Sequence, residues 1–252
     1  MSGELYVYGI VDSRCGLAIA GRGMAGGSLQ LLAWHEIGAV VSSGGSFPLR
    51  YETEHVLHHE RVLERLMKGH SVLPCRFDLR LRDEEEVAAL LQGKYAAFRA
   101  NLRRVADTQE WCVRALWDPE ELAAWEELSP HGSSERINVD VSDSPDGGAA
   151  YLLRKCQAWR REALLHDFAE TLIEAVHEPL QRHAQESLTR KCLSERLILA
   201  AAYLVPRCRA AEFVACFRRQ RLAFAHLQFL LSGPWPPSSF IDEELRGPLM
   251  VT

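Results

Sequence analysis

The segment HVLHHE, running from His55 to Glu60, gathers three imidazoles and a carboxylate within about one and a half helical turns. His55 and His59 stand four positions apart. That spacing puts two side chains on one helix face, where two imidazoles can share a metal ion. The zinc hydrolase pattern is different, because a glutamate there follows the first histidine and serves as the base. Here Val56 follows His55. His59 also falls on the apolar face marked by Val56 and Leu63, which assigns it a packing role, and no metal is expected.

The seven cysteines are Cys15, Cys75, Cys112, Cys156, Cys192, Cys208 and Cys216. Their number is odd and no CxxC pair occurs, so neither a disulfide framework nor a four-thiol zinc site is expected. Cys75 and Cys112 have no neighbouring base that would make either a nucleophile. G-x-S-x-G, the P-loop, and a strand–G-x-G-x-x-G–helix unit are missing from the sequence. The glycines of GRGMAGG, Gly21 to Gly27, lack that context and read as a flexible hairpin connection. The arginines between Arg207 and Arg221 would suit RNA only beside paired stacking aromatics. The strand-like run ILAAAYLV offers Tyr203 alone, so these arginines read as a solvated helix face. No catalytic residue, no cofactor and no nucleic-acid partner are expected.

The elements that must position these residues follow from patterning. LYVYGIV (Leu5 to Val11), SLQLLAW and IGAVVSS read as strands. Thr53 opens an amphipathic helix that Gly69 ends. SVLPCRFDLRL is extended, and Pro74 suits an edge or irregular strand. Asp83 and Glu86 make a capping-box-like start for one long helix, EEEVAALLQGKYAAFRANLRRV. A second unit starts near Thr108 with the strand EWCVRALW and the short helix DPEELAAWEEL. A polar loop from Ser129 to Gly148 follows. Next come a helical stretch from about Ala149 to Pro179, striped by Leu165, Phe168, Leu172 and Val176, the buried strand ILAAAYLV, the helix CRAAEFVACFRRQRLA and the alternating AHLQFLL. Pro179 is expected to end or kink its helix. The order of the second half matches an elaborated split βαβ, ferredoxin-like arrangement. The boundaries are therefore 1–107 and 108–252.

A chain of 252 residues with 47% hydrophobic and 25% charged residues has the balance of a well-cored globular protein. Its net charge of −5 argues against nucleic acid as a partner. No stretch approaches the roughly 18 apolar residues of a membrane span, and the amino terminus lacks a signal-peptide pattern. A cytoplasmic protein is expected, with no membrane partner.

Set in order, YVYGIV, HERVLERLMKGHSVLPCRFD, RRVADTQEWCVRALW, AAYLVPR and GPWPPSSF resemble the gas vesicle protein F/L family over nearly the whole chain. The most specific parts are the helix leading into VLPCRF and the terminal GPWPPSSF. The sequence departs from the family at Cys75, where leucine is common, at Asp78, where glycine is common, and at Ser238, where tyrosine is frequent. The resemblance implies an α+β protein of two domains. The first is a mixed-sheet α+β domain and the second a modified ferredoxin-like domain with a long helical insertion. It further implies a non-enzymatic accessory or minor structural protein of gas vesicles, partnered by the small hydrophobic shell protein and other accessory proteins, on the gas-facing side of the shell. A ferredoxin-like small-ligand or RNA-binding module is the alternative.

The residues that would carry partner binding or a structural motif are Arg76, Phe77, Trp235, Pro236, Pro237 and Phe240. Pro234, Pro236 and Pro237 lack an N–H, so the segment reads as a polyproline-like strut unable to extend the preceding strand. Trp235 and Phe240 would anchor it. Either the strut folds back over a sheet edge of its own domain, covering Trp235, or it presents Trp235 to a partner.

Overall fold

The computed structural model describes residues 4–15, 21–43, 53–117, 173–191, 197–225, 227–247 and 249–250, with separate helical positions between 151 and 171. The helix expected over DPEELAAWEEL, the loop from Ser129 to Gly148, and the positions Leu165, Phe168 and Leu172 lie outside the described residues. Two compact units are present: Met1–Trp111 with Leu204–Arg207 and Gly233–Thr252, and Cys112–Tyr203 with Cys208–Ser232. The segment Gly233–Thr252, expected in the second domain, thus belongs to the unit built from the amino-terminal residues.

Strand β1 (Leu5–Asp12) is buried on both faces, as its unbroken β-branched and aromatic composition requires. The first sheet has the order β2–β3–β1–β4, with β2 at Gln30–Trp34, β3 at Ile37–Ser43 and β4 at Val72–Pro74. Strand β5 (Arg80–Leu81) pairs with β1 through Leu5 and Tyr6. Each of these pairings is antiparallel, so the described sheet is antiparallel where a mixed one was expected. The reason is local: β2 and β3 form a tight hairpin through His35 and Glu36, and β4 and β5 both return alongside β1. Gly9 makes the β4 pairing close, since a Cβ there would stand 2.8 Å from the Leu73 carbonyl oxygen.

Helix α1 (Thr53–Met67) covers this sheet with the apolar face read from its sequence. It buries His59, Val62, Leu63, Leu66 and Met67 in a cluster with Tyr6, Tyr8 and Met24. Burial of each large aliphatic side chain in such a cluster contributes roughly 1.5–3 kcal/mol. The GRGMAGG segment is not the loose connection expected. It forms a helical turn at Met24–Gly26, and the Met24 side chain is part of the core.

The long helix expected after Asp83 is two helices, α2 (Glu84–Gly93) and α3 (Tyr95–Arg104), interrupted at Lys94 with φ −114° and ψ 16°. Gly93 weakens the helix at that point. The break lets α2 pack on β2 and β3 while α3 packs on β1, β3 and β4. Asp83 caps α2 as expected, its Oδ1 accepting the Glu86 N–H at 2.9 Å. The Glu86 carboxylate accepts from the Arg82 N–H at 2.7 Å, one residue ahead of the cap.

The second sheet has the order β7–β8–β6–β9, formed by β6 (Thr108–Trp117), β7 (Glu186–Lys191), β8 (Leu197–Pro206) and β9 (Leu227–Trp235). A wide helical turn at Ile173–His177 runs into α4 (Glu178–Gln181), and α5 (Ala210–Ala223) lies between β8 and β9 in sequence. Pro179 does not end the helix at once: the winding changes from the wide turn to α4 at Glu178, and Pro179 lies in the first turn of α4, which ends at Gln181. Tyr203 of β8 faces these helices. Its hydroxyl is 2.9 Å from His177 Nδ1 and its ring centroid 5.2 Å from that of Phe213. Phe217 of α5 meets Phe229 of β9 edge-on. Among the described residues, no helix is long and apolar enough to cross a membrane.

Candidate interaction site

The run VLPCRFDLRL is one strand interrupted by an excursion. Strand β4 ends at Pro74, and the Cys75 N–H still donates to the Tyr8 carbonyl at 2.9 Å. On the far side, the Val7 N–H donates to the Leu79 carbonyl, also at 2.9 Å. Between these two bonds Arg76, Phe77 and Asp78 leave the ladder in a turn closed by Leu79 N–H to Arg76 oxygen. Asp78 takes φ 64°. This is the left-handed region that glycine enters freely and aspartate tolerates, so the turn survives the departure from glycine. The Asp78 carboxylate accepts from Arg80 Nε at 2.7 Å.

Behind the turn lies a polar network inside the core. Tyr6 donates its hydroxyl proton to His59 Nδ1 at 2.9 Å and accepts the Asp78 N–H at 3.1 Å. His59 Nε2 donates to the Cys75 carbonyl at 3.2 Å, which places the imidazole proton on Nε2. The His59 ring stacks on Tyr8 and meets Phe77 edge-on. Tyr8 in turn bonds Ser42 and accepts the Met24 N–H. His59 is 1% exposed, and burial pushes its pKa down to about 4, so the ring is neutral. Burial raises the Tyr6 and Tyr8 pKa values and pushes the Cys75 thiol up to about 12. Cys75 is thus a protonated, inert thiol. Both nitrogens of His59 are engaged, which leaves none for an ion shared with His55.

The terminal segment departs from the expected strut. Strand β9 continues through Gly233 and Pro234 to Trp235, beyond LQFLL. It does so because β9 is an edge strand, where a residue without an N–H is tolerated. Gly233 takes φ 126°, and a Cβ there would stand 2.7 Å from the Glu110 carbonyl oxygen. The chain then turns instead of extending. Pro237 has φ −74° and ψ 57°, and the Ser238 N–H donates to the Pro236 oxygen at 2.7 Å, an inverse γ-turn. A short helical turn, Ser238–Phe240, follows.

The buried Glu110 carboxylate fixes this turn, accepting the Ser239 N–H at 2.9 Å and its hydroxyl at 2.6 Å. Further on, Asn101 and Asp242 bond reciprocally: Asn101 Nδ2 donates to Asp242 Oδ2 at 2.9 Å, and the Asp242 N–H donates to Asn101 Oδ1 at 3.0 Å. Arg104 adds an ion pair to Asp242 at 2.8 Å. The tail ends against the strand excursion, where the Arg76 N–H donates to the Leu249 oxygen and Met250 pairs with Cys75. Leu249 and Met250 therefore cover the backbone beyond β4, the protective task considered for the proline segment.

These bonds place the two motif segments in one unit, yet their side chains divide sharply. Phe77, Pro236, Pro237 and Phe240 point inward to differing degrees: Phe240 is 1% exposed, both prolines are buried and Phe77 is partly buried. Arg76 is exposed. Trp235 is 39% exposed and takes part in no ring contact among the described residues, so its ring is partly covered by its own chain and partly open to a partner. Tyr6, Asn101, Glu110, Ser239 and Asp242 were not singled out in the sequence. Their partners lie 53 to 141 positions away, and no local pattern marks them.

The comparison with known proteins bears on the whole chain. The family model "Gas vesicle synthesis protein GvpL/GvpF" matches residues 4–242. Gas vesicle protein F of Streptomyces sp. (strain CB03234) is 27% identical over 94% of this chain and 99% of its own. Gas vesicle protein L of the same strain is 27% identical over 93% and 91%. The crystal structure of the gas vesicle protein GvpF from Anabaena sp. PCC7120 superposes with a TM-score of 0.77 at 21% identity, covering 96% of this chain and 99% of that one. That likeness establishes the α+β fold. With a family match of this extent, the chain belongs to the gas vesicle synthesis protein GvpL/GvpF family.

Proposed function

We propose that this chain is a non-enzymatic accessory and minor structural protein of gas vesicles, which binds the hydrophobic shell protein and other accessory proteins during assembly, at the gas-facing side of the shell. Family membership supports the setting. The observation that carries the contact itself is the exposed Trp235, held out from a segment whose next residues are locked. Pro236, Pro237 and Phe240 are buried, and Ser239 is bonded to Glu110. A large aromatic on a pre-ordered backbone binds an apolar partner at little entropic cost. Such a protein would shield the shell subunit from premature self-association and limit where it polymerises.

The alternative of an RNA-binding module finds no support at Tyr203. Its ring is fully buried and its hydroxyl is bonded to His177, so it offers no stacking face.

Co-expression of the full chain with the shell protein tests the proposal. Trp235→Ala is expected to reduce co-purified shell protein about tenfold or more, the effect of a modest interface hot spot, while thermal unfolding hardly moves. Undiminished association would remove Trp235 from the interface. Failure of the unaltered chain to associate with any vesicle component would remove the binding function itself.

A further inference from the structure

A cleft of about 270 Å³ opens beside the first sheet, away from the strand excursion. It lies between the end of β1 and the β2–β3 hairpin on one side and the carboxyl end of α3 on the other, with Gly69, His70 and Ser71 at its back. Ile37 and Leu102 give it an apolar wall.

Most of the charge lining it is already matched. Arg14 chelates Asp12 through two bonds of 3.0 and 2.5 Å. Glu36 accepts from the Tyr95 hydroxyl and pairs with Arg99 at 3.2 Å. The Tyr95 hydroxyl bond, with Arg99, Arg14 and Arg103 nearby, holds the Glu36 carboxyl below its usual range. What remains are three groups. Arg103 and Asp107 are exposed, and neither side chain makes a direct hydrogen bond or ion pair among the described residues, although the Arg103 charge also acts on Glu36 from a distance. His70 Nδ1 is shielded from solvent and lacks a hydrogen-bond partner there.

Arg103 and Asp107 are four apart, a spacing that pairs opposite charges on a continuous helix. Here α3 ends at Arg104, and Asp107 takes φ 53°. Its backbone is fixed there, with its N–H donating to Ser71 Oγ at 3.1 Å and its carbonyl accepting the Arg207 N–H at 2.9 Å. The turn thus leaves a solvated cation and a solvated anion without a direct partner on one cleft, an apolar wall beside them. A single anion would engage Arg103 alone, and a single cation Asp107 alone. A ligand with both charges satisfies the two poles together.

We propose that this cleft binds a dipolar ligand, with a carboxylate on Arg103, an ammonium or guanidinium on Asp107 and an aliphatic stem along Leu102 and Ile37. The same chemistry comes from a free zwitterion or from neighbouring acidic and basic side chains of another protein.

Heteronuclear NMR of the full chain separates the cases. The probes are ε-aminocaproate, which carries both charges, caproate and hexylamine, which carry one each, and the capped dipeptide of glutamate and lysine. A two-charge probe is expected to shift the Gly69, Ser71 and Asp107 amides saturably, at about tenfold lower concentration than either single-charge probe. Arg103→Gln should abolish the advantage over hexylamine, and Asp107→Asn the advantage over caproate. Asparagine also accepts positive φ, so the second variant keeps the turn. Binding of the dipeptide alone identifies a protein partner, and binding of ε-aminocaproate as well identifies a site open to free zwitterions. Equal midpoints for all probes, no saturating shift, or the same preference in both variants overturns the proposal.

Discussion

The carboxylate of Glu110 holds both the backbone N–H and the hydroxyl of Ser239, at 2.9 and 2.6 Å, across 129 positions of sequence. Glu110 lies on β6 and is 3% exposed, so the two bonds compensate a charge withdrawn from water. Through them the turn after Trp235 is tied to the first compact unit.

This coupling is measurable by a double-mutant cycle. Ser239→Ala is expected to cost about 1 kcal/mol and Glu110→Ala about 2–3 kcal/mol in urea unfolding, because the first leaves the buried Glu110 carboxylate short of a donor and the second releases both bonds that hold the half-buried Ser239. The double variant should cost clearly less than the sum. Simple additivity would mean that the two residues do not support each other.

The aromatic residues of the tail should separate in their effects on stability. Phe240 is fully packed, and Phe240→Ala should cost about 3–5 kcal/mol. Trp235 is 39% exposed without a stacking partner, and Trp235→Ala should cost no more than about 1 kcal/mol. Chemical denaturation of both variants decides it, and the reverse order would place Trp235 in the core.

His59 makes stability depend on pH. Burial lowers its folded pKa to about 4, against about 6.5 when unfolded. Between these values the unfolded chain binds the extra proton, so stability rises with pH. The contribution is complete above the unfolded value and is lost as pH falls from about 6.5 to about 4, amounting to roughly 3 kcal/mol. His177, also lowered by burial, acts in the same direction. His59→Gln should flatten the fall in unfolding free energy between these pH values, and an unchanged profile would show that the imidazole is not the titrating group.

Asp78 tests the backbone of the excursion. At φ 64°, Asp78→Val should cost about 1–2 kcal/mol from the disfavoured conformation alone. Asp78→Gly should be close to neutral, relief of that conformation offsetting the lost bond to Arg80. Comparison of the two melting temperatures checks the sign, and an equal loss for both would point to the carboxylate instead of φ.

The elements with strong periodicity were legible in the sequence. Helix α1 shows its core face through Leu63, Leu66 and Met67, although Val62 and not the expected Val56 completes it, and β8 shows an unbroken apolar run closed by Pro206. Strand β7, ESLTRK, was not, because an edge strand need not alternate apolar and polar residues. The break at Lys94 was hidden because the apolar pattern continues across it, and Gly93 alone marks it. Pro234 argued against a strand, yet the argument applies to central strands, and β9 is at an edge. The tail's attachment was invisible for a different reason. It rests on Glu110 with Ser239 and Asn101 with Asp242, pairs that only the folded chain brings within reach.

The packing of Phe240, Ile241, Leu245 and Met250 into a unit begun at Leu5 also imposes an order of events during synthesis. While the ribosome is still elongating, this unit lacks a wall, and it closes only after residue 250 has left the exit tunnel. Trp235 therefore takes up its fixed, outward position late, on chains already translated through the tail. A product truncated before Phe240 would be left with bare core and an untethered tryptophan.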